Sequence, residues 1–290
     1  MARWFIPIAR QAASMAAITA VAGLLAAAMV RTGPGFDSDE RLLDPRLDAA
    51  SRAAVQNQRA GEDGAVRYYL RQVGAAFTGD FGVSQSLGQP VASLIRSRLP
   101  QTAELMAAGV VGGWVLAFAL ALIAVLARNS VASEVANHFS SLGLCMPAAV
   151  IAVLMFVAGG PARAVIALVL FPRLFETLRN LLADAYQSPQ VLAARAFGAR
   201  PSAILVRYAL AARAPELLGL AGVSVVMAFG ACIPVETLCD LPGIGQLAWK
   251  AAIARDLPVL IALTLLIALL TQLCNAISGW MAEGFERGRA

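Results

Sequence analysis

Long apolar runs separated by short charged stretches set the pattern of this chain. A bilayer core of ~30 Å takes about 20 apolar residues in a helix. Five uncharged runs are of that order: Gln11 to Val30, Leu105 to Ala127, Val135 to Ala162, Leu217 to Val235 and Leu257 to Ala282. A sixth, weaker run begins at Ala164 and reaches Pro172, after which Arg173, Glu176 and Arg179 precede Leu181 and Leu182. These three charges share roughly one helix side, and Arg173 and Glu176 are spaced to pair. The run therefore reads as a span whose end charges reach an interface or line a cavity. Arg3, Arg10 and the small residues Ala26 to Ala28 give the first run the outline of a signal peptide, but its uncharged stretch is long for one. Cleavage would leave five spans.

Between the first two runs lies Arg31 to Gln101, with mixed and nearly balanced charge. Val66, Tyr69, Leu70, Val73 and Phe77 follow helical spacing and predict an amphipathic helix. Gly79-Asp80-Phe81-Gly82 should end it. Pro90 should open a second helix with Val91, Leu94, Ile95 and Leu99 on one face, lying at the membrane surface with Arg96 and Arg98 toward headgroups. Pro100 is then expected to redirect the chain into the second span. Gly109 with Gly113, and Ser224 with Ala228, are small-residue pairs that permit close helix contact.

Composition agrees with a membrane setting. Hydrophobic residues make up 59% and charged residues 14%, against about 25% charged in a soluble domain. The net charge of +5 rests on Arg, Lys250 being the only Lys. The Arg residues are scattered between apolar runs, which argues against nucleic acid as a partner and for short cytoplasmic loops. Arg3 and Arg10, Arg128, then Arg179, Arg195, Arg200, Arg207 and Arg213, and finally Arg287 and Arg289 all fall on one side of a six-span path. Both termini are therefore expected in the cytoplasm. The organisation expected is a terminus and first span over 1–30, an outer region over 31–103, and a five-helix core over 104–290 with a cytoplasmic segment at 186–215. Cys145, Cys232, Cys239 and Cys274 lie in or beside apolar stretches and read as buried, inert thiols. His138, the only His, reads as a polar residue facing a neighbouring helix. The chain contains no P-loop, no Ser/His/Asp set and no metal-ligand spacing, so neither ATPase nor intramembrane enzyme fits.

Two short segments outside the spans hold more information. Ser188 can cap a helix that has Pro189 at its first position, runs from Gln190 to Phe197 and ends at Gly198. Pro201 should start a second helix through Ile204, Leu205 and Tyr208. A helix this short is unstable alone, and its surface of Ala193, Ala194 and Ala196 is small and smooth. It either docks into a partner or rests on headgroups. The other segment, Leu241-Pro242-Gly243-Ile244-Gly245, suits a tight turn at the membrane edge between the last two spans.

Val191-Leu192-Ala193-Ala194-Arg195-Ala196-Phe197-Gly198 resembles the cytoplasmic EAA motif of binding-protein-dependent ABC importer permeases, in the form used by the dipeptide/oligopeptide/nickel family. Val235-Glu236-Thr237 with Leu241-Pro242-Gly243-Ile244-Gly245 resembles a second signature of that family, and Ala254-Arg255-Asp256-Leu257-Pro258 a third. Gly79-Asp80-Phe81-Gly82-Val83-Ser84, Pro90-Val91 and Arg98-Leu99-Pro100 resemble the stretch before its second span. The long outer loop is typical of the first of two permease subunits. Leu192 stands where the general motif has Glu, Pro215 sits near the family's proline after the coupling helix, and Gly33-Pro34-Gly35-Phe36-Asp37 is a loose version of the start of the outer loop.

The resemblance implies an all-α membrane protein of about six transmembrane helices with the type I ABC importer permease fold, multi-pass in a bacterial inner membrane. It implies half of an ATP-driven import pathway for a small solute, peptides above others, in contact with membrane lipid. A second permease subunit, two ATPase subunits and an extracytoplasmic substrate-binding protein would complete it. This chain would bind no cofactor, since ATP and Mg belong to the ATPases. Ala193, Ala194, Arg195, Ala196, Gly198 and Pro201 would couple to an ATPase, and Glu236, Pro242, Gly243 and Gly245 would form an outer gate or turn. A secondary transporter or a membrane scaffold is the competing reading. The first should show interrupted helices in matching halves, and the second needs no docking helix.

Overall fold

The computed structural model describes residues 79–126 and 131–287, with isolated positions before them. The first expected span and the helix expected over Val66 to Phe77 lie outside the described residues. Nine α-helices follow in order: α1 Val91–Leu126, α2 Val131–Cys145, α3 Ala148–Val157, α4 Ala162–Tyr186, α5 Pro189–Ala196, α6 Pro201–Ala203, α7 Ala214–Leu238, α8 Ile244–Ala254 and α9 Leu257–Arg287. Val91–Leu126, Ala214–Leu238 and Leu257–Met281 are long and apolar enough to cross a membrane. Two compact units divide the described residues: those up to Arg98 with Leu247–Gln272, and Leu99–Gln246 with those from Leu273.

In the second unit the core is the buried face of α4. Ile166, Leu170, Phe171, Leu174, Phe175, Leu178 and Leu182 repeat at helical spacing and are nearly inaccessible. They pack with Leu105, Ala117 and Ala121 of α1, Ala152 of α3 and Ala228, Ala231 and Cys232 of α7. Small residues set the approach of these helices. A Cβ on Gly109 would fall 2.5 Å from Ile166, and one on Gly113 3.3 Å from Leu170, so the expected small-residue pair is used against α4. Gly143 of α2 likewise leaves room for Pro172, whose carbonyl accepts a hydrogen bond from Ser140 Oγ at 2.9 Å. Ser224 Oγ accepts the Trp114 indole N–H at 3.0 Å, joining α1 to α7.

Several expectations change. The helix expected at Pro90 and the second span are not separate: α1 runs through Pro100 as one helix of 36 residues. An internal proline removes a single i to i−4 bond, and the apolar contacts that follow keep the helix going. Val135 to Ala162 is not one helix either. It breaks at Met146-Pro147 into α2 and α3, because Pro147 lacks the N–H needed to continue α2 and instead precedes the first turn of α3. The Arg173–Glu176 ion pair is absent among the described residues, whereas Arg213 and Glu216 do pair, at 3.2 Å. Of the four thiols only Cys232 is buried, and Cys145 is exposed. His138 faces no neighbouring helix. It is exposed, and its Nδ1 lies 2.9 Å from the Glu134 carbonyl oxygen of its own helix.

In the first unit, residues 79–90 form a turn-rich loop. Gly79 and Gly82 take φ values of 82° and 74°, which only glycine adopts without strain. Asp80 Oδ1 accepts the Gly82 N–H at 2.9 Å, and an antiparallel bridge pairs Val83 with Pro90.

Candidate functional site

The short helix α5 forms as its residues dictate. Pro189 occupies the first position, where a missing N–H costs nothing, and Val191 and Leu192 donate to the Ser188 carbonyl at 3.1 Å. The Ser188 hydroxyl itself makes no capping bond and is left buried without a partner. At the other end Gly198 sits at φ 73°. Its N–H donates to the Arg195 carbonyl and that of Ala199 to the Ala194 carbonyl, both at 3.0 Å. This is a Schellman end, and it requires glycine at the left-handed position. The second helix expected at Pro201 lasts only through Ala203 and passes into a π-helical stretch, Ile204–Leu210.

Two faces of α5 do different work. Val191 and Ala194 are buried against Ile204, with Tyr186 and Ala199 beside them. Burying one Val side chain supplies roughly 1.5–3 kcal/mol, which an isolated helix of eight residues lacks. The Arg195 guanidinium lies over the Tyr186 ring at 5.1 Å, tying α5 back to α4. Leu192, Ala193, Ala196 and Phe197 are exposed, Phe197 at 91%. Among the residues expected to couple, Ala193, Arg195, Ala196, Gly198 and Pro201 are therefore exposed, whereas Ala194 faces the chain's own packing.

The Pro-Gly turn builds a different structure. It leads into α8, whose first N–H groups have no partner within the helix. Ile244 N–H donates to Thr102 Oγ1 at 2.7 Å. Gly245 and Gln246 donate to Glu236 Oε2 at 2.7 and 3.2 Å. Thr102 Oγ1 in turn donates to Glu236 Oε1 at 2.7 Å. Glu236, fully buried on α7, thus caps a helix that begins eight residues later, and Thr102, 1% exposed on α1, bridges to it. The glycines of the turn are steric requirements. A Cβ on Gly243 would collide with the Glu236 carboxyl, and one on Gly245 would lie 2.8 Å from the Cys232 carbonyl. Glu236, Gly243 and Gly245 are brought together, with Pro242 in the same turn. Thr102, which the sequence reading passed over, completes them. Its adjacency to the Arg98-Leu99-Pro100 match is the one local signal that could have found it.

Asp256 was likewise missed as a site residue, although its motif was noticed. It is fully buried just ahead of α9 and follows Arg255 at φ 54°. Its Oδ2 accepts Ser84 Oγ at 2.5 Å, Ser86 N–H at 3.0 Å and Ser86 Oγ at 2.7 Å. Burial alone would raise its pKa, but the hydrogen bonds from Ser84 and Ser86 outweigh that and hold the carboxyl below the ordinary carboxylate range. Among the described residues no cluster of His, Cys, Asp or Glu is placed to hold a metal ion.

Residues 109–290 match the family model for the binding-protein-dependent transport system inner membrane component. The oligopeptide transport system permease protein AppB of Bacillus subtilis is 24% identical over 88% of this chain and 90% of its own length. OppB of Escherichia coli K12 is 27% identical over 83% of this chain and 85% of its own. The dipeptide transport system permease protein DppB of Lactococcus lactis is 26% identical over 70% and 73%. Among solved structures, an inward-facing form of the MetNI methionine ABC transporter aligns with a TM-score of 0.56 at 18% identity, covering 66% of this chain and 96% of that one. The fold is that of a type I importer permease. A match over residues 109–290, more than half of the sequence, places the chain in the family of binding-protein-dependent transport system inner membrane components, the permease subunits of ATP-driven importers.

Proposed function

We propose that this chain forms half of a translocation path for peptides across the bacterial inner membrane, with α5 and both termini in the cytoplasm and the Pro242 turn outside. The observation that carries the coupling part is the split character of α5. One face is anchored in the chain's own packing and the other presents Leu192, Ala193, Ala196 and Phe197 uncovered. A large aromatic at 91% exposure, at the end of a helix fixed in angle by Gly198, is a docking knob.

ATP and Mg are held by two separate ATPase subunits, one of which receives the exposed face of α5. Motion of the ATPase is carried inward through Val191, Ala194 and the Arg195–Tyr186 contact to α4 and the π-helical stretch. Rocking of packed helices then exposes the path alternately to either side. A second permease subunit supplies the other half, and an extracytoplasmic binding protein delivers the solute. Peptides are favoured because AppB, OppB and DppB are named as oligopeptide or dipeptide permeases. Nickel complexes and glutathione are the competing solutes.

The test is co-purification of the assembled importer after Phe197→Asp. The variant should insert at the normal level but lose the ATPase from the complex. Retention of the ATPase at the wild-type ratio would refute this docking face.

A further inference from the structure

α4 carries a charged face that the chain itself leaves uncovered. Arg173, Glu176, Thr177, Asn180 and Asp184 recur at helical spacing and fall on one stripe. Arg173, Asn180 and Asp184 are exposed, and Glu176 and Thr177 partly so. The opposite face holds the buried Leu174, Phe175, Leu178 and Leu182. Arg173 makes no ion pair or hydrogen bond among the described residues, and Asn180 Oδ1 accepts Arg179 Nη2 at 3.3 Å.

Depth makes this stripe informative. Arg173 stands about 16 Å along the helix from Ala162 and about 20 Å from Tyr186, at 1.5 Å per residue. That is the middle of α4. Toward Ala162 the same face is apolar, with Val169 partly covered and Ile166 buried against Gly109. The polar stripe therefore starts at mid-helix and runs only toward α5. With α4 taken as a span and α5 at its cytoplasmic end, this is near mid-depth, where a lipid-facing helix would not hold an unpaired guanidinium, and one turned to its own bundle would bury it. The remaining environments are water and a helix of the second subunit.

We infer that this stripe lines the water-filled half of the translocation path on the α5 side, and that Arg173, at its inner end, binds a carboxylate of the passing solute. A guanidinium takes a carboxylate through two parallel N–H bonds. Glu176 and Asp184, further along, suit an ammonium group, so the stripe matches a solute carrying both charges, such as an unblocked peptide. The peptide part of this assignment rests on the function proposed above. The aqueous cation rests only on α4 crossing the bilayer.

The assembled importer in vesicles provides the test, after replacement of its four cysteines in this chain. Asn180→Cys should react with methanethiosulfonates applied from the α5 side. At Thr177→Cys, one turn from Arg173, adding Arg173→Gln should lower the ratio of anionic to cationic reaction about 10-fold, the effect in water of one unit charge at ~6 Å on reagents of opposite sign. In uptake, Arg173→Gln should lower transport of a peptide with a free C-terminal carboxylate at least ~10-fold, leave its C-terminal amide unchanged, and be partly rescued by Arg173→Lys. An unreactive Asn180→Cys in a complex of normal composition would mean that a helix of the second subunit covers the stripe, and would overturn the inference. So would a reagent preference indifferent to Arg173, or equal loss of both peptides. If the wild-type complex moves neither peptide while the reagent preference still follows Arg173, the peptide reading falls and the anion site stands.

Discussion

Replacing Glu236 by Ala should release the first turn of α8 without unfolding α7. The Glu236 carboxyl accepts the N–H groups of Gly245 and Gln246 and the hydroxyl of Thr102. In Glu236→Ala the two amides lose the Glu236 carboxylate as acceptor in a site that excludes water, and each buried amide left without it costs about 1–3 kcal/mol. The sum, about 2–6 kcal/mol, should accelerate hydrogen exchange at Gly245 and Gln246 by at least ~30-fold, since 1.4 kcal/mol is tenfold. Glu236→Gln should be milder. Its carbonyl can still serve both amides, and its NH₂ can donate to Thr102, leaving one hydroxyl proton unpaired at about 1 kcal/mol. Gly243→Ala should mimic Glu236→Ala, because its Cβ displaces the same carboxyl. The double variant should then be less damaging than the sum, as the methyl enters the space vacated. Exchange at Gly245 and Gln246 within about threefold of wild type in Glu236→Ala, a factor worth less than one buried hydrogen bond, would refute the capping argument.

Two further outcomes follow from the same geometry. Gly198→Ala meets no atom within 4 Å, so its cost is purely conformational, about 1–2 kcal/mol for an L residue at φ 73°. Tryptic cleavage after Arg195 should quicken, with Gly198→Asn intermediate, and equal cleavage in all three would contradict the Schellman end. Asp256 has a depressed folded pKa, so its stabilisation is present above the unfolded value near ~3.9 and is lost as pH falls through the folded one. Protection of the Ser86 amide should hold from neutral pH down to about 5 and fail only below about 4. Asp256→Ala should lose it at neutral pH. Loss of wild-type protection already at mildly acid pH would show that the carboxyl is not held low.

Local rules read α5 well because its chemistry is local. Pro189 and Gly198 each act within one turn, and the structure returns the helix between them. The same rules misjudged Ser188, since a capping hydroxyl needs only a small rotation to be turned away. Pro100 and Pro147 carry the same backbone defect, yet α1 continues through one and the chain breaks at the other. Packing against neighbouring helices decides between them, and no short window of sequence holds that information. The capping of α8 was invisible for a similar reason. Thr102 and Glu236 are 134 positions apart, and the bond between them exists only once α1 and α7 lie together. Ser84 and Asp256, 172 positions apart, repeat the lesson.

The break at Pro147 bears on the order in which the chain enters the bilayer. α3 has ten residues, about 15 Å of helix, half of a ~30 Å hydrocarbon core. On leaving the ribosome it is too short to span lipid by itself, and α4 and α7, on which it packs, are not yet made. Its contacts with α4 and α7 form only once those helices follow. A nascent chain stopped after Val157 should therefore leave α3 loosely held, and one extended through Tyr186 should begin to fix it. The later helices complete an insertion that the earlier one cannot finish.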